Sequence, residues 1–220
     1  MNNSEELNYL YSFENKKDIE KIYVKNVYEE IADQFKVTRV FTWSWITDFI
    51  NKLNNNSIIY DIGCGSGRNL IFDKHLMIGI DNCQKFIDIC LKDNKLAMYS
   101  DMININLPSN SADAIICIAS FHHLSNEKNR LNALFEMKRL LKNNGKILLS
   151  VWSINQPKKT RVTFSFYGDN FVPWNKKYNR YYYIFKIQEI KKLFIKAGLS
   201  ILEHKYDCGN EIFTLTKILN

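Results

Sequence analysis

Three glycines at alternate positions follow directly on a short β-branched run. Ser57 to Ile62 leads into Gly63-Cys64-Gly65-Ser66-Gly67. A glycine loop that ends a strand narrows the choice of fold more than any other stretch of this chain. Glycine permits the tight turn and lets a ligand come close to the backbone. In an open α/β sheet, ligands bind beyond the carboxyl ends of strands, which is where this loop falls.

The text downstream keeps the rhythm of such a sheet. Met77 to Ile80 is another short strand, ending at Asp81, and a helix with Phe86, Ile89 and Cys90 comes next. Ala114 to Ala119 is apolar throughout, as a strand in the middle of a parallel sheet is. Ser125-Asn126-Glu127 reads as a helix start, and Leu131, Leu134, Phe135, Lys138 and Leu141 continue at helical spacing. Asn144-Gly145 is expected to end that helix, with Lys146 to Trp152 as the next strand. Ser153 to Phe185 breaks the rhythm, being aromatic and basic without clear periodicity. A helix carrying Ile187, Ile190, Leu193, Phe194 and Ala197 then stops at Gly198, and strands Leu199 to Tyr206 and Ile212 to Ile218 close the chain. Upstream, Ile19, Ile22, Tyr23, Val27, Ile31 and Phe35 have helical spacing, as do Trp45, Ile46, Phe49, Ile50 and Leu53. The expectation is an α/β fold, a mostly parallel sheet with helices on both faces and an antiparallel C-terminal edge hairpin. One domain over 1–220 is expected, with an N-terminal helical part, 1–55, and an aromatic and basic insertion, 153–186.

Composition removes several alternatives. With 46% hydrophobic and 24% charged residues the chain is of ordinary globular type. Its longest apolar run, Ala114 to Ala119, is far short of the roughly 20 residues of a membrane span. Met1-Asn2-Asn3-Ser4-Glu5-Glu6 is polar and acidic, unlike a secretory signal. The five cysteines are odd in number and form no C-x-x-C pair, so neither a disulfide framework nor a cysteine zinc site is expected. A cytoplasmic location follows, with the nucleus left open. The net charge of +7 suits a polyanionic partner such as RNA or an acidic membrane surface, or serves solubility alone.

The glycine spacing selects among ligands. A dinucleotide fold calls for G-x-G-x-x-G and a P-loop for Gly-Lys-Ser/Thr. Here the pattern is G-x-G-x-G with Asp61 two residues ahead. Asp-x-Gly-x-Gly-x-Gly resembles the first motif of the class I S-adenosylmethionine (SAM) methyltransferases. Asp81 lies twenty residues after Asp61 (81 − 61 = 20). A carboxylate there can accept both ribose hydroxyls. The resemblance implies a Rossmann-like seven-stranded sheet, adenine contacts at Asp101 and Met102, and a fourth-strand motif at Asp113-Ala114-Ile115-Ile116. It implies SAM as cofactor, bound by Asp61, Gly63, Gly65, Gly67, Arg68, Asp81, Asp101, Met102 and Ala119, with no metal. Taken singly, each Asp reads equally as a turn or cap residue.

Further segments narrow the resemblance. They are Val27 to Phe35, Thr38-Arg39, Trp43, Ile118 to Ser125, Val151-Trp152, Gln156, Asp169-Asn170-Phe171-Val172-Pro173-Trp174 and Arg180-Tyr181-Tyr182. Together they look like the eukaryotic tRNA wobble-uridine carboxymethyl methyltransferases, which convert 5-carboxymethyluridine at position 34 into its methyl ester. This resemblance implies the tRNA anticodon stem-loop as substrate and a small zinc-binding activator as heterodimer partner. Three positions depart from the family: Ser44 for Pro, Tyr183 for His and Glu211 for an aromatic residue.

The nucleophile in that reaction is a carboxylate, ionised at neutral pH, so no general base is required. Arg39 and Arg180 are candidates to hold that carboxylate or a neighbouring phosphate, because the planar guanidinium fork pairs with either anion. His122 and His123 follow the central strand; the resemblance implies that one of them contacts the substrate, with His122 preferred, and as bare residues they read equally as a strand-end pair bonded to backbone. Asp169 is a candidate to position the uridine or orient an Arg, and equally an Asx-turn residue. Lys158, Lys159, Arg161, Lys176, Lys177 and Arg180 surround Phe164, Phe166, Tyr167 and Trp174, a mixture that can bind phosphates and stack an unpaired base. The alternative is a class I methyltransferase acting on a quinone, lipid or metabolite. A non-catalytic SAM-fold module is disfavoured by the intact glycine loop and Asp81.

Overall fold

The computed structural model describes residues 17–39, 41–160 and 162–218. Nine strands occur among them: β1 (Ile58–Ile62), β2 (Leu76–Asp81), β3 (Ala97–Tyr99), β4 (Ala112–Ile118), β5 (Leu141–Trp152), β6 (Gly168–Trp174), β7 (Tyr178–Ile184), β8 (Leu199–Asp207) and β9 (Asn210–Lys217). The helices are α1 (Lys17–Glu20), α2 (Asn26–Val37), α3 (Ser44–Asn51), α4 (Gln84–Lys92), α5 (Glu127–Leu140) and α6 (Ile187–Lys196), with a π-helical stretch, Lys21–Lys25, joining α1 to α2.

Seven strands form one sheet in the order β3-β2-β1-β4-β5-β9-β8. The first five are parallel, and β9 and β8 run antiparallel at the closing edge. This is the expected architecture. Chain order reverses between β1 and β4, which leaves a crevice at their carboxyl ends.

Alternation along β4 explains why both faces are covered. Ala114, Ile116 and Ile118 pack with Trp45, Ile46 and Ile50 of α3 and with Ile87 and Cys90 of α4. Ile115 and Cys117 point the other way, into Leu134 and Met137 of α5 and Ile190 and Phe194 of α6. Successive strand residues face opposite sides, so a strand buried on both is apolar throughout. Ile46 is fully buried, and truncating it to Ala removes contacts worth roughly 2–5 kcal/mol.

Two boundaries differ from expectation. Helix α5 ends at Leu140 and β5 begins at once, so Asn144-Gly145 lies inside the strand. The pairing of β4 with β5 shifts register between Ala112 and Ala114. A Cβ on Gly145 would stand 2.9 Å from the Asp113 carbonyl oxygen. The glycine therefore serves a close strand approach and does not end the helix. The 153–186 stretch contains β6 and β7, paired antiparallel as a separate two-stranded sheet. Among the described residues no helix is long and apolar enough to cross a membrane.

Candidate active site

The glycine loop leaves β1 with left-handed backbone at Gly63, Gly65 and Gly67 (φ 76°, 53° and 74°). The N–H groups of Gly63 and Cys64 both donate to the Ile80 carbonyl, tying the loop to β2. A Cβ on Gly63 would stand 2.0 Å from Ser120 Oγ, and one on Gly67 would stand 2.8 Å from Cys90 Sγ. A Cβ on Gly65 would come no nearer than 3.8 Å to its surroundings, at the Phe35 ring. That glycine answers to backbone angle and to a ligand's approach, since no side chain crowds it.

Asp81 braces the loop from the end of β2. One carboxylate oxygen accepts the Gly65 N–H at 2.8 Å and the other the Cys83 N–H at 3.0 Å. Each oxygen keeps lone-pair capacity for a further donor. Burial pushes the Asp81 pKa up to about 6, against the pull of its N–H donors. Asp61 is fully enclosed behind the loop. Its Oδ1 has no hydrogen-bond partner, and burial pushes its pKa up to about 7, opposed by Arg68. Burial lowers Arg68 to about 10, and its guanidinium lies 4.3 Å from the centre of the Trp43 ring.

A cavity of about 610 Å³ opens over the loop. Gly63, Gly65, Arg68, Asp81, Asp101, Met102 and Ala119 line it; Asp61 and Gly67 stand behind its wall. Ala119 has φ 52°. Left-handed backbone costs a residue with a Cβ about 1–2 kcal/mol, and such strain gathers at functional sites. An open glycine and the spare acceptor capacity of Asp81 fit SAM.

Arg39, Phe41, Trp43, Trp152, Tyr182 and Asn210 also line the cavity. His123 belongs to this wall and His122 does not, the reverse of the sequence preference. The two follow β4 in a single 3₁₀ turn, which sends neighbouring side chains in different directions. His123 Nδ1 lies 2.6 Å from the Tyr181 carbonyl oxygen, and Nε2 lies 3.0 Å from the Tyr28 hydroxyl. A carbonyl only accepts, so Nδ1 carries the proton and the Tyr28 hydroxyl donates to Nε2. His122 Nδ1 accepts the Trp152 N–H at 3.1 Å, and its ring stacks on Tyr182 at 4.8 Å. Burial holds both imidazoles neutral, with the His123 pKa pushed down to about 3.

The other candidates divide as well. Arg39 lines the cavity, whereas Arg180 and Asp169 lie outside its lining. Arg180 is buried 4.9 Å from the Trp174 ring centre and 5.4 Å from that of Tyr182. Asp169 accepts the Tyr181 hydroxyl. Tyr183 faces elsewhere: its hydroxyl donates to Glu189 at 2.6 Å, and the Arg130 guanidinium sits 3.4 Å from its ring centre. Glu211 accepts the Ser153 hydroxyl at 2.7 Å. No role follows from sequence for Tyr28, Phe41 or Tyr182, all on the cavity wall. The usable signal for Tyr182 is the strand period, which puts it on the face of Arg180. Among the described residues no cluster of three His, Cys, Asp or Glu side chains could hold a metal.

The fold and this site define a class. A family model described as a methyltransferase domain matches residues 60–149. A SAM-dependent methyltransferase from Methanosarcina mazei superposes with a TM-score of 0.66 at 17% identity, over 82% of this chain and all of that one. A chain from the complex of the Haloferax volcanii Trm112 methyltransferase activator with a methyltransferase gives 0.68 at 15% identity, over 90% and 98%. The fold is that of the class I methyltransferases, and the matched domain is a methyltransferase domain. The sequence is 36% identical over 219 residues to the tRNA (carboxymethyluridine(34)-5-O)-methyltransferase of Schizosaccharomyces pombe, covering 88% of this chain and 95% of the relative. It is 42% identical over 139 residues to ALKBH8 of Macaca fascicularis, named for the same activity, covering 63% of this chain and 21% of that protein. The chain belongs to the tRNA (carboxymethyluridine(34)-5-O)-methyltransferase family.

Proposed function

We propose that the chain methyl-esterifies the carboxylate of 5-carboxymethyluridine at wobble position 34 of tRNA. His123 is the observation that favours this acceptor. The histidine on the cavity wall is neutral and has both ring nitrogens committed. It is not available to take a proton from an amine or a hydroxyl. An acceptor suited to this site arrives already ionised, as a carboxylate near pKa 4 does.

SAM, when bound, supplies an electrophilic methyl group on a sulfonium. Asp81 is placed to accept the ribose hydroxyls, and Asp101 and Met102 to flank the adenine. Arg39, on the cavity wall and hydrogen-bonded among the described residues only to its neighbour Thr38, holds the carboxylate oxygen that does not attack. Holding the attacking oxygen would blunt it. The chain's contribution is alignment of two reactants that need no proton transfer. Asp169 and Arg180 act from behind. Asp169 fixes Tyr181, whose carbonyl fixes His123, and Arg180 backs Tyr182.

The RNA outside the cavity meets Lys158, Lys159, Lys176 and Lys177; Arg161 lies outside the described residues. Among the described residues strand β3 pairs only with β2, which leaves its outer edge without a strand partner there. Leu96 beside it is 57% exposed. A free edge flanked by apolar surface supports strand addition by a small zinc-binding activator, and the Haloferax volcanii complex pairs a methyltransferase with a methyltransferase activator. The five free thiols suit the reducing cytoplasm.

The test is transfer of labelled methyl from SAM to bulk tRNA, with and without the activator, followed by nucleoside analysis. A base-labile methyl ester on a wobble uridine is expected. No transfer by protein that binds SAM, with the activator present, overturns the proposal.

A further inference from the structure

Phe41 lines the cavity although it is 86% exposed. It sits in the connection between α2 and α3, two residues after Arg39 and two before Trp43. The rim around it is cationic and aromatic. The Arg39 guanidinium lies 4.8 Å from the Phe35 ring centre, and among the described residues its hydrogen bonds go to Thr38. Arg68 lies over Trp43, which stacks on Trp45 at 5.4 Å and 15°. Neither guanidinium forms an ion pair among the described residues.

We propose that this rim is a subsite for a nucleotide next to the one that is methylated. Its base stacks on Phe41, and its phosphate is drawn by Arg68, which leaves Arg39 to the carboxylate. The inference rests on the RNA substrate proposed above. The surroundings choose the occupant. An apolar peptide or lipid chain would gain nothing from two unpaired guanidinium groups. A nucleotide brings a π-face and an anion within a few ångströms of each other, in the combination the rim offers. Stacking tolerates any base, because each has a π-face. The subsite therefore senses whether a neighbouring base is present more than which base it is.

A double-mutant cycle tests this. The RNAs are an anticodon stem-loop with 5-carboxymethyluridine at position 34 and copies with an abasic nucleotide at position 33 or 35. Each is assayed with activator and SAM against the wild type, Phe41→Ala and Phe41→Tyr. Because Phe41 is exposed, Phe41→Ala is not expected to disturb the core. Phe41→Ala should raise KM for the intact stem-loop roughly 5- to 150-fold with little change in kcat, the range of one base–aromatic stack. One of the two abasic substrates should cost the wild type a similar factor and cost Phe41→Ala nothing more. Phe41→Tyr should restore the wild-type KM. Unchanged KM in Phe41→Ala overturns the subsite, as do independent losses at both abasic positions or a loss confined to kcat. A wild type that methylates the intact stem-loop without coupling refutes the subsite alone. A wild type that fails on the intact stem-loop refutes the underlying function.

Discussion

The Tyr28 hydroxyl donates to His123 Nε2 across 3.0 Å and so joins helix α2 to the turn after β4. His123 is held neutral, its pKa lowered by burial to about 3. The unfolded chain takes up this proton near 6.5. Between those values the unfolded state binds more protons, so this residue's contribution is whole above pH 6.5 and is lost as pH falls towards 3. Asp61 and Asp81, with raised pKa values, act in the opposite sense. The His123 share must therefore be read against a variant. In urea unfolding from pH 7 to 4, the wild type should lose stability relative to His123→Asn by up to about 1.4 kcal/mol per pH unit. Parallel pH curves would show that His123 is not the group that titrates.

SAM binding should carry the titration of Asp81. The carboxylate is ionised only above about pH 6 in the free protein. Affinity measured by calorimetry should fall as pH drops through 6, by as much as tenfold per unit. Asp81→Asn should bind more weakly and lose that inflection. An inflection that survives in Asp81→Asn assigns it to another group.

Gly63 and Gly65 should respond differently to alanine. Both need left-handed backbone, which costs about 1–2 kcal/mol with a Cβ. Gly63→Ala adds a Cβ 2.0 Å from Ser120 Oγ, whereas Gly65→Ala meets nothing nearer than 3.8 Å. Thermal unfolding should show the larger loss for Gly63→Ala, and Ser120→Gly should recover the excess. Equal losses would mean that backbone angle alone sets the cost.

Arg39→Lys keeps the charge and loses the fork. Hydrogen bonds to charged groups are worth about 1.5–3 kcal/mol, so roughly 10- to 100-fold should be lost from kcat/KM with tRNA. An unchanged single-turnover rate together with unchanged tRNA affinity would remove Arg39 from both binding and alignment.

Tyr183 stands where the family usually has His, yet it points to Glu189 and Arg130. Tyr183→Phe should cost about 0.5–1.5 kcal/mol of stability, the worth of one hydrogen bond. KM for tRNA should stay the same. A raised KM would bring this position back to the substrate.

The sheet was readable because β1, β2 and β4 are short apolar runs, with β1 ending at a glycine and β2 at an aspartate. The β6–β7 hairpin was not. Arg180, Tyr181, Tyr182 and Ile184 are all buried, so the alternation that marks a half-exposed strand is absent. Helix α5 passes into β5 between two leucines, Leu140 and Leu141, with no breaker to mark the change. The cofactor end was largely legible, since glycine spacing and a strand-end carboxylate are local signals. The acceptor end was less so. Which of two adjacent histidines meets the cavity depends on a 3₁₀ turn, and the partners that settle it, Tyr28 and Tyr181, come from distant parts of the chain.

The contact between Tyr28 and His123 also sets an order of events during synthesis. Tyr28 leaves the ribosome 95 residues before the histidine it bonds, and Tyr181 follows 58 residues later still. Until then the apolar face of α2, with Val27, Ile31 and Ala32, lacks its later-made packing partners Cys83 and Phe86 for much of that time. A helix of 12 residues is marginal on its own. Helix α2 is thus made before the sheet yet is among the last elements to settle, and the cavity it roofs takes shape only once the sheet and its hairpin are in place.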